Sequence, residues 1–161
     1  MRLNLGCGDD HRPGFLGVDI APQADIQHDL SQPLPCESDS VEELYAKHII
    51  EHFDEKTWRK IIKDWARVII PGGKLTIECP DVSRLFGRWL TNSQERRDYW
   101  MLCIYGEAWK EGMAHKNGFY LEKLTHDLSN AGFSIIKADW LYDDTPDING
   151  FNIKVEAIWY Q

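Results

Sequence analysis

The chain has little of what would tie it to a membrane, to a secretory route or to a nucleic-acid lattice. No apolar run approaches the roughly 20 residues of a bilayer span. The first residues hold no basic-then-apolar segment, so no signal peptide is expected. There is no low-complexity tract and no repeat of solenoid length. The four cysteines (Cys7, Cys36, Cys79, Cys103) form no C-x-x-C pair, and they read as reduced thiols of a cytoplasmic protein. The formal net charge of −8 argues against a broad nucleic-acid footprint and leaves room only for a local basic patch. What is present is ordinary for a globular protein: 161 residues, 43% of them hydrophobic, enough for one domain (residues 1–161) with a real core.

The informative stretch comes first. Arg2-Leu3-Asn4-Leu5-Gly6-Cys7-Gly8 reads as a short buried strand running into a glycine turn. Glycine tolerates unusual backbone angles and lets a ligand approach the main chain, although a plain tight turn would look the same. Phe15 to Ile20 reads as a second strand with Asp19 near its end, where a carboxylate could accept from two vicinal hydroxyls. Gly8 and Asp19 are only 11 positions apart, too few for a full crossover helix.

Further along, Ala24 to Leu30 is a weak third strand and Val41 to His48 a fourth. A helix is expected from Asp54 to about Ile70, with Asp54 as its cap and Trp58, Ile61, Ile62, Trp65, Val68 and Ile69 at helical spacing. Its Lys56, Arg59, Lys60, Lys63 and Arg67 form a basic face, read as solvated rather than phosphate-binding. Pro71-Gly72-Gly73 should stop that helix before a fifth strand, Lys74 to Cys79. Residues 82–119 form a helical insert whose apolar residues are expected to cover the sheet and whose Trp and Tyr residues could stack on a substrate. A helix from Leu121 to Ala131, a sixth strand (Phe133 to Trp140), a polar loop ending Asn149-Gly150 and a seventh strand over residues 152–160 complete the chain. Such alternation, ending on two successive strands, predicts an α/β fold with a largely parallel sheet.

In their order these segments resemble the small class I S-adenosylmethionine-dependent methyltransferases. Leu3 to Gly8 resembles that family's cofactor loop, and Gly17-Val18-Asp19-Ile20 its ribose-binding strand end. Leu34-Pro35, Ser38 to Val41, and His48-Ile49-Ile50-Glu51-His52-Phe53 resemble its fourth strand and flanks. Arg67 to Leu75, and His115 to Phe119 with Leu121 to Phe133, resemble its later segments. The resemblance implies a Rossmann-like three-layer sandwich with strand order 3-2-1-4-5-7-6 and an antiparallel last strand. It implies S-adenosyl-L-methionine as cofactor, with Leu5, Gly6, Cys7 and Gly8 at the methionyl part, Asp19 and Ile20 at the ribose, Asp29 and Leu30 at the adenine, and His48 at the border. Asn4, Asp10 and Tyr120 depart from the family pattern, and the truncated first crossover, with no helices before the first strand, predicts a partly open site.

The sulfonium of that cofactor already activates the methyl group, so the protein must mainly align an acceptor and, for an oxygen or nitrogen nucleophile, take its proton. His115, in a glycine-flanked loop between Trp109 and Phe119, is the first candidate base, set against a reading as a capping or packing histidine. His48 and His52 come second; Asp81 and His11 are weaker, and His28 and His126 read as surface or packing residues. The acceptor expected is a small or glycan-like molecule, with no membrane partner and a homodimer favoured by the aromatic insert. No metal is expected. Two rivals stand beside this reading. His48-Ile49-Ile50-Glu51-His52 matches H-x-x-E-H, which would make a zinc hydrolase if both histidines shared a helical face. The other is a non-catalytic binding module on the same fold.

Overall fold

The computed structural model describes residues 1–110, 112–141 and 151–160. The expected loop ending Asn149-Gly150 therefore lies outside the described residues. Seven strands form one sheet: β1 (Arg2–Leu5), β2 (Leu16–Asp19), β3 (Ile26–Gln27), β4 (Val41–Lys47), β5 (Ile69–Pro80), β6 (Phe133–Trp140) and β7 (Asn152–Trp159). Their order is 3-2-1-4-5-7-6. β1 pairs in parallel with β2 and β4, β4 with β5, and β7 runs antiparallel to both β5 and β6. This is the Rossmann-like arrangement that the family resemblance implies, and its mostly parallel sheet is what the alternation predicts. The four α-helices among the described residues are α1 (Glu55–Val68), α2 (Val82–Thr91), α3 (Gln94–Tyr105) and α4 (Leu121–Asn130).

Helix α1 forms for the reasons its sequence advertises. Asp54 accepts a hydrogen bond from the Thr57 backbone N–H at 2.8 Å, and Trp58, Ile61, Ile62, Trp65 and Val68 are all buried. Trp58 Nε1 donates to Asp127 Oδ2 at 3.0 Å, and Lys123 meets Glu55 at 3.0 Å, which lays α4 beside α1. Its basic face is only partly solvated. Arg67 donates to the carbonyls of Cys36 (2.8 Å) and Leu34 (3.1 Å), so it fastens the loop before β4. Pro71-Gly72-Gly73 does not separate helix from strand as expected. The helix already ends at Val68, and these residues lie within β5 at an irregularity in its pairing with β4. β3 is also shorter than expected, at two residues.

No helix links β1 to β2. The sheet face beside this connection is covered instead by Arg12, whose guanidinium lies 3.7 Å from the centre of the Tyr45 ring. Tyr45 is 4% exposed, and its burial pushes the phenol up to about 12, so the buried group stays neutral. The loop itself is held by Asn4, whose Nδ2 donates to the Asp10 carbonyl at 3.0 Å, and by the Asp10 N–H to Cys7 carbonyl bond at 2.7 Å. Two of the positions that depart from the family pattern, Asn4 and Asp10, thus brace each other.

The insert meets only part of the expectation that its apolar residues cover the sheet: Phe119 joins the main core, but its helices do not. Leu85, Trp100, Cys103, Ile104 and Phe151 make a small cluster of their own, with Trp100 and Phe151 edge to face at 5.0 Å. Phe86 (44%) and Leu90 (65%) stay exposed. No helix among the described residues is long and apolar enough to cross a membrane, and the four cysteines are free thiols.

Candidate functional site

The loops after β1, β2, β3 and β4 open on one cavity of about 510 Å³. Gly6, Gly8, Asp19, Ile20, Asp29, Leu30 and His48, positions where the resemblance implies the cofactor, all line it. Gly6 has φ +67°, and a Cβ there would stand 2.7 Å from Ile49, so the loop can approach the turn after β4 only with glycine. Nothing lies within 4 Å of where a Cβ on Gly8 would stand. Asp19 accepts from the Gly8 N–H (2.9 Å) and the Ala21 N–H (3.0 Å), one on each oxygen. These bonds aim the carboxylate from the strand end and keep lone pairs available. Asp29 accepts from the Ser31 N–H at 2.8 Å, and the bonds from Ser31 hold its carboxyl below the usual aspartate range.

Leu5 and Cys7 do not line the cavity. Leu5 is fully buried in the sheet core, where alternation along β1 sends it. Cys7 turns its Sγ toward Gly17, and burial, then the nearby Asp19 charge, pushes its thiol up. Only the backbone of these two residues can serve a ligand. His28, which the sequence marks as a surface or packing residue, does line the cavity, and its Nε2 is buried without a hydrogen-bond partner. Gly112, Met113 and Lys116 from the insert also line it, which no local pattern announces.

A second cavity, of about 480 Å³, shares His48, His52 and Met113 with the first and adds Glu51, Leu102, Cys103, Gly106 and His115. His48, directly after β4, has φ +52°, an unusual conformation for a residue with a side chain. His48 Nδ1 lies 3.3 Å from Glu51 Oε1, and its Nε2 lies 3.0 Å from Asn152 Nδ2. His52 belongs to a 3-10 turn, Ile50–His52, and its ring meets that of His115 edge-on at 5.0 Å. Gly106, with φ +71°, makes room for this: a Cβ there would collide with the Met113 carbonyl and stand 2.8 Å from the His115 ring. Burial first, and then neighbouring His52 and His48, push the His115 imidazole down, against the opposing pull of Glu51.

The structure therefore brings His48, His52 and His115 together. It sets aside the other sequence candidates. Asp81 caps α2, accepting from Ser83 N–H (2.9 Å) and Trp140 Nε1 (2.9 Å), and lines neither cavity. His11 and His126 are exposed. The zinc-hydrolase reading also fails on geometry. His48 sits at a strand end and His52 in a 3-10 turn, so H-x-x-E-H is not on a helix and its histidines do not share a helical face.

No family model matches the chain, and no curated protein does. Solved structures do. An S-adenosylmethionine-dependent methyltransferase from Methanosarcina mazei superposes with a TM-score of 0.69 over 99% of this chain and 92% of its own, at 17% identity. Another from Mesorhizobium loti gives 0.64 over 98% and 89%, at 15% identity. A chain from the complex of the Haloferax volcanii Trm112 methyltransferase activator gives 0.66 over 99% and 82%, at 14% identity. This chain has the class I methyltransferase fold. In that fold the first cavity opens at the carboxyl ends of the parallel strands, where strand order reverses beside β1, the usual ligand position in open α/β sheets. The missing first crossover helix leaves this methyltransferase fold with a loop, braced through Asn4, as the floor of that cavity.

Proposed function

We propose that the protein is an S-adenosylmethionine-dependent methyltransferase acting on a small-molecule or glycan-like acceptor. The observation that carries this is the meeting of two cavities at His48, His52 and Met113. One cavity holds the groups a donor nucleoside needs, and the other brings an acceptor to its edge. Both volumes are of the size that small ligands occupy.

The first cavity fits the donor on its own residues. The Asp19 carboxylate serves ribose hydroxyls and the ionised Asp29 an adenine amino group, while the orphaned His28 Nε2 is a further polar contact in the wall. The backbone of Gly6 and Gly8 faces the methionyl part. The donor, when bound, supplies an activated methyl group on its sulfonium. The residues of the second cavity then orient the acceptor and handle its proton. His115 and His52 offer ring nitrogens there, and the lowered basicity of His115 keeps it unprotonated near neutral pH. Trp109, 71% exposed, belongs to the segment that lines this cavity and offers a face for a sugar ring. A cytoplasmic location agrees with four free thiols, and a homodimer through the insert belongs to the same proposal.

Calorimetric titration with S-adenosylhomocysteine on metal-free protein tests the reading. Saturable one-to-one binding is expected. Folded protein that does not bind it would refute the donor assignment.

A further inference from the structure

Glu51, on the wall of the second cavity, is 2% exposed, yet its Oε2 has no hydrogen-bond partner. Its other oxygen faces His48 Nδ1 at 3.3 Å. A buried carboxylate oxygen without a partner is costly, because water no longer solvates it. One ligand-capable atom each from Glu51, His52 and His115 lies within 4.8 Å of the other two. The two histidines are oriented from behind. His52 Nδ1 lies 3.2 Å from the Ala114 carbonyl and His115 Nδ1 lies 3.1 Å from the Ile104 carbonyl. A carbonyl oxygen only accepts, so each ring donates from Nδ1 and, when neutral, carries a bare lone pair on Nε2. Backbone carbonyls that fix the far nitrogen of a histidine are the usual support of a metal-binding imidazole.

We propose that Glu51, His52 and His115 hold a divalent transition cation on the wall of the second cavity, its open positions turned toward an oxygen acceptor. Two imidazoles and one carboxylate suit zinc, manganese or cobalt and leave coordination sites free. Ligand atoms about 2.0–2.2 Å from one such ion stand about 3–4 Å apart, so small side-chain rotations close the set. His48 is not a ligand here; it steadies the first Glu51 oxygen. The proposal rests on the reading of this cavity as the acceptor site. With the cation bound, Nε2 of His52 and His115 are its ligands and no longer proton acceptors, and an acceptor hydroxyl on the cation is acidified and loses its proton to solvent water instead. The oxygen pair then forms the C–O bond, and the pair of the broken S–CH3 bond stays on the donor sulfur.

The test is titration of chelator-stripped, full-length protein with Co²⁺, read by visible absorption and calorimetry. One equivalent should bind with the strong visible bands of a four- or five-coordinate nitrogen/oxygen site. Glu51→Gln and His115→Ala, each checked for folding by thermal melting, should weaken binding at least about 10–100-fold. His126→Ala should leave it unchanged, and S-adenosylhomocysteine affinity of metal-free protein should shift less than about twofold in Glu51→Gln. The weak spectrum of a six-coordinate aqueous ion, binding that ignores both triad substitutions, or no saturable binding would each overturn the proposal. Cation binding without S-adenosylhomocysteine binding would sink the donor reading alone, and the reverse would sink the cation site alone.

Discussion

The two cavities are built in opposite ways. The wall of the first cavity, proposed for the donor, comes largely from loops that follow successive strands, so Gly6, Gly8, Asp19, Asp29 and Leu30 lie close in the chain as well as in space. The wall of the second cavity, proposed for the acceptor, joins Glu51 and His52 to Leu102, Cys103, Gly106 and His115 across the insert. The first wall is mostly local, with Gly112, Met113 and Lys116 added from the insert, and its glycine turn and strand-end acid are visible as short motifs. The second depends on how α2 and α3 fold back, and on the left-handed residue Gly106 that lets His115 pass under the Met113 carbonyl.

This contrast can be broken by mutations confined to one wall. His115→Ala should have the largest effect, lowering turnover by about 100–10 000-fold while S-adenosylhomocysteine affinity moves less than about twofold. Single-turnover rates and calorimetry on the same sample check it, and equal losses in both would merge the two walls. Asp19→Ala should do the reverse. Losing hydrogen bonds to a charged group costs about 1.5–3 kcal/mol, so donor affinity should fall roughly 10–200-fold with the far-UV spectrum intact. Unchanged affinity would remove Asp19 from the ribose position.

The smallest effect concerns Asp29. Its folded-state pKa is lowered by hydrogen bonds from Ser31, so its contribution to stability is present above the unfolded value of about 3.9 and is lost as pH falls through the lower folded value. The melting-temperature difference between wild type and Asp29→Asn should therefore hold from pH 7 to about 5 and shrink below about pH 4. A difference that grows on acidification would contradict the assignment.

The strands and the first long helix are legible in the amino-acid order alone. Leu3 and Leu5 alternate with polar neighbours, and helical spacing from Trp58 to Val68 marks a buried face, because strand and helix periods are properties of the local chain. Asn4 and Asp10 look like defects in the pattern, and only their contact at 3.0 Å reveals a brace. His28 looks peripheral because nothing next to it in sequence marks a cavity.

The amino-acid order by itself determined the alternation of strands and helices, the glycine turn after β1 and the acid at the end of β2. These follow from backbone angles and from residue periods of two or about 3.6. Only the tertiary structure decided that Glu51 meets His115 rather than sharing a helix with His48. His115, dozens of residues on from the adjacent Glu51 and His52, joins them through chain reversal, and no local spacing encodes the packing that performs it.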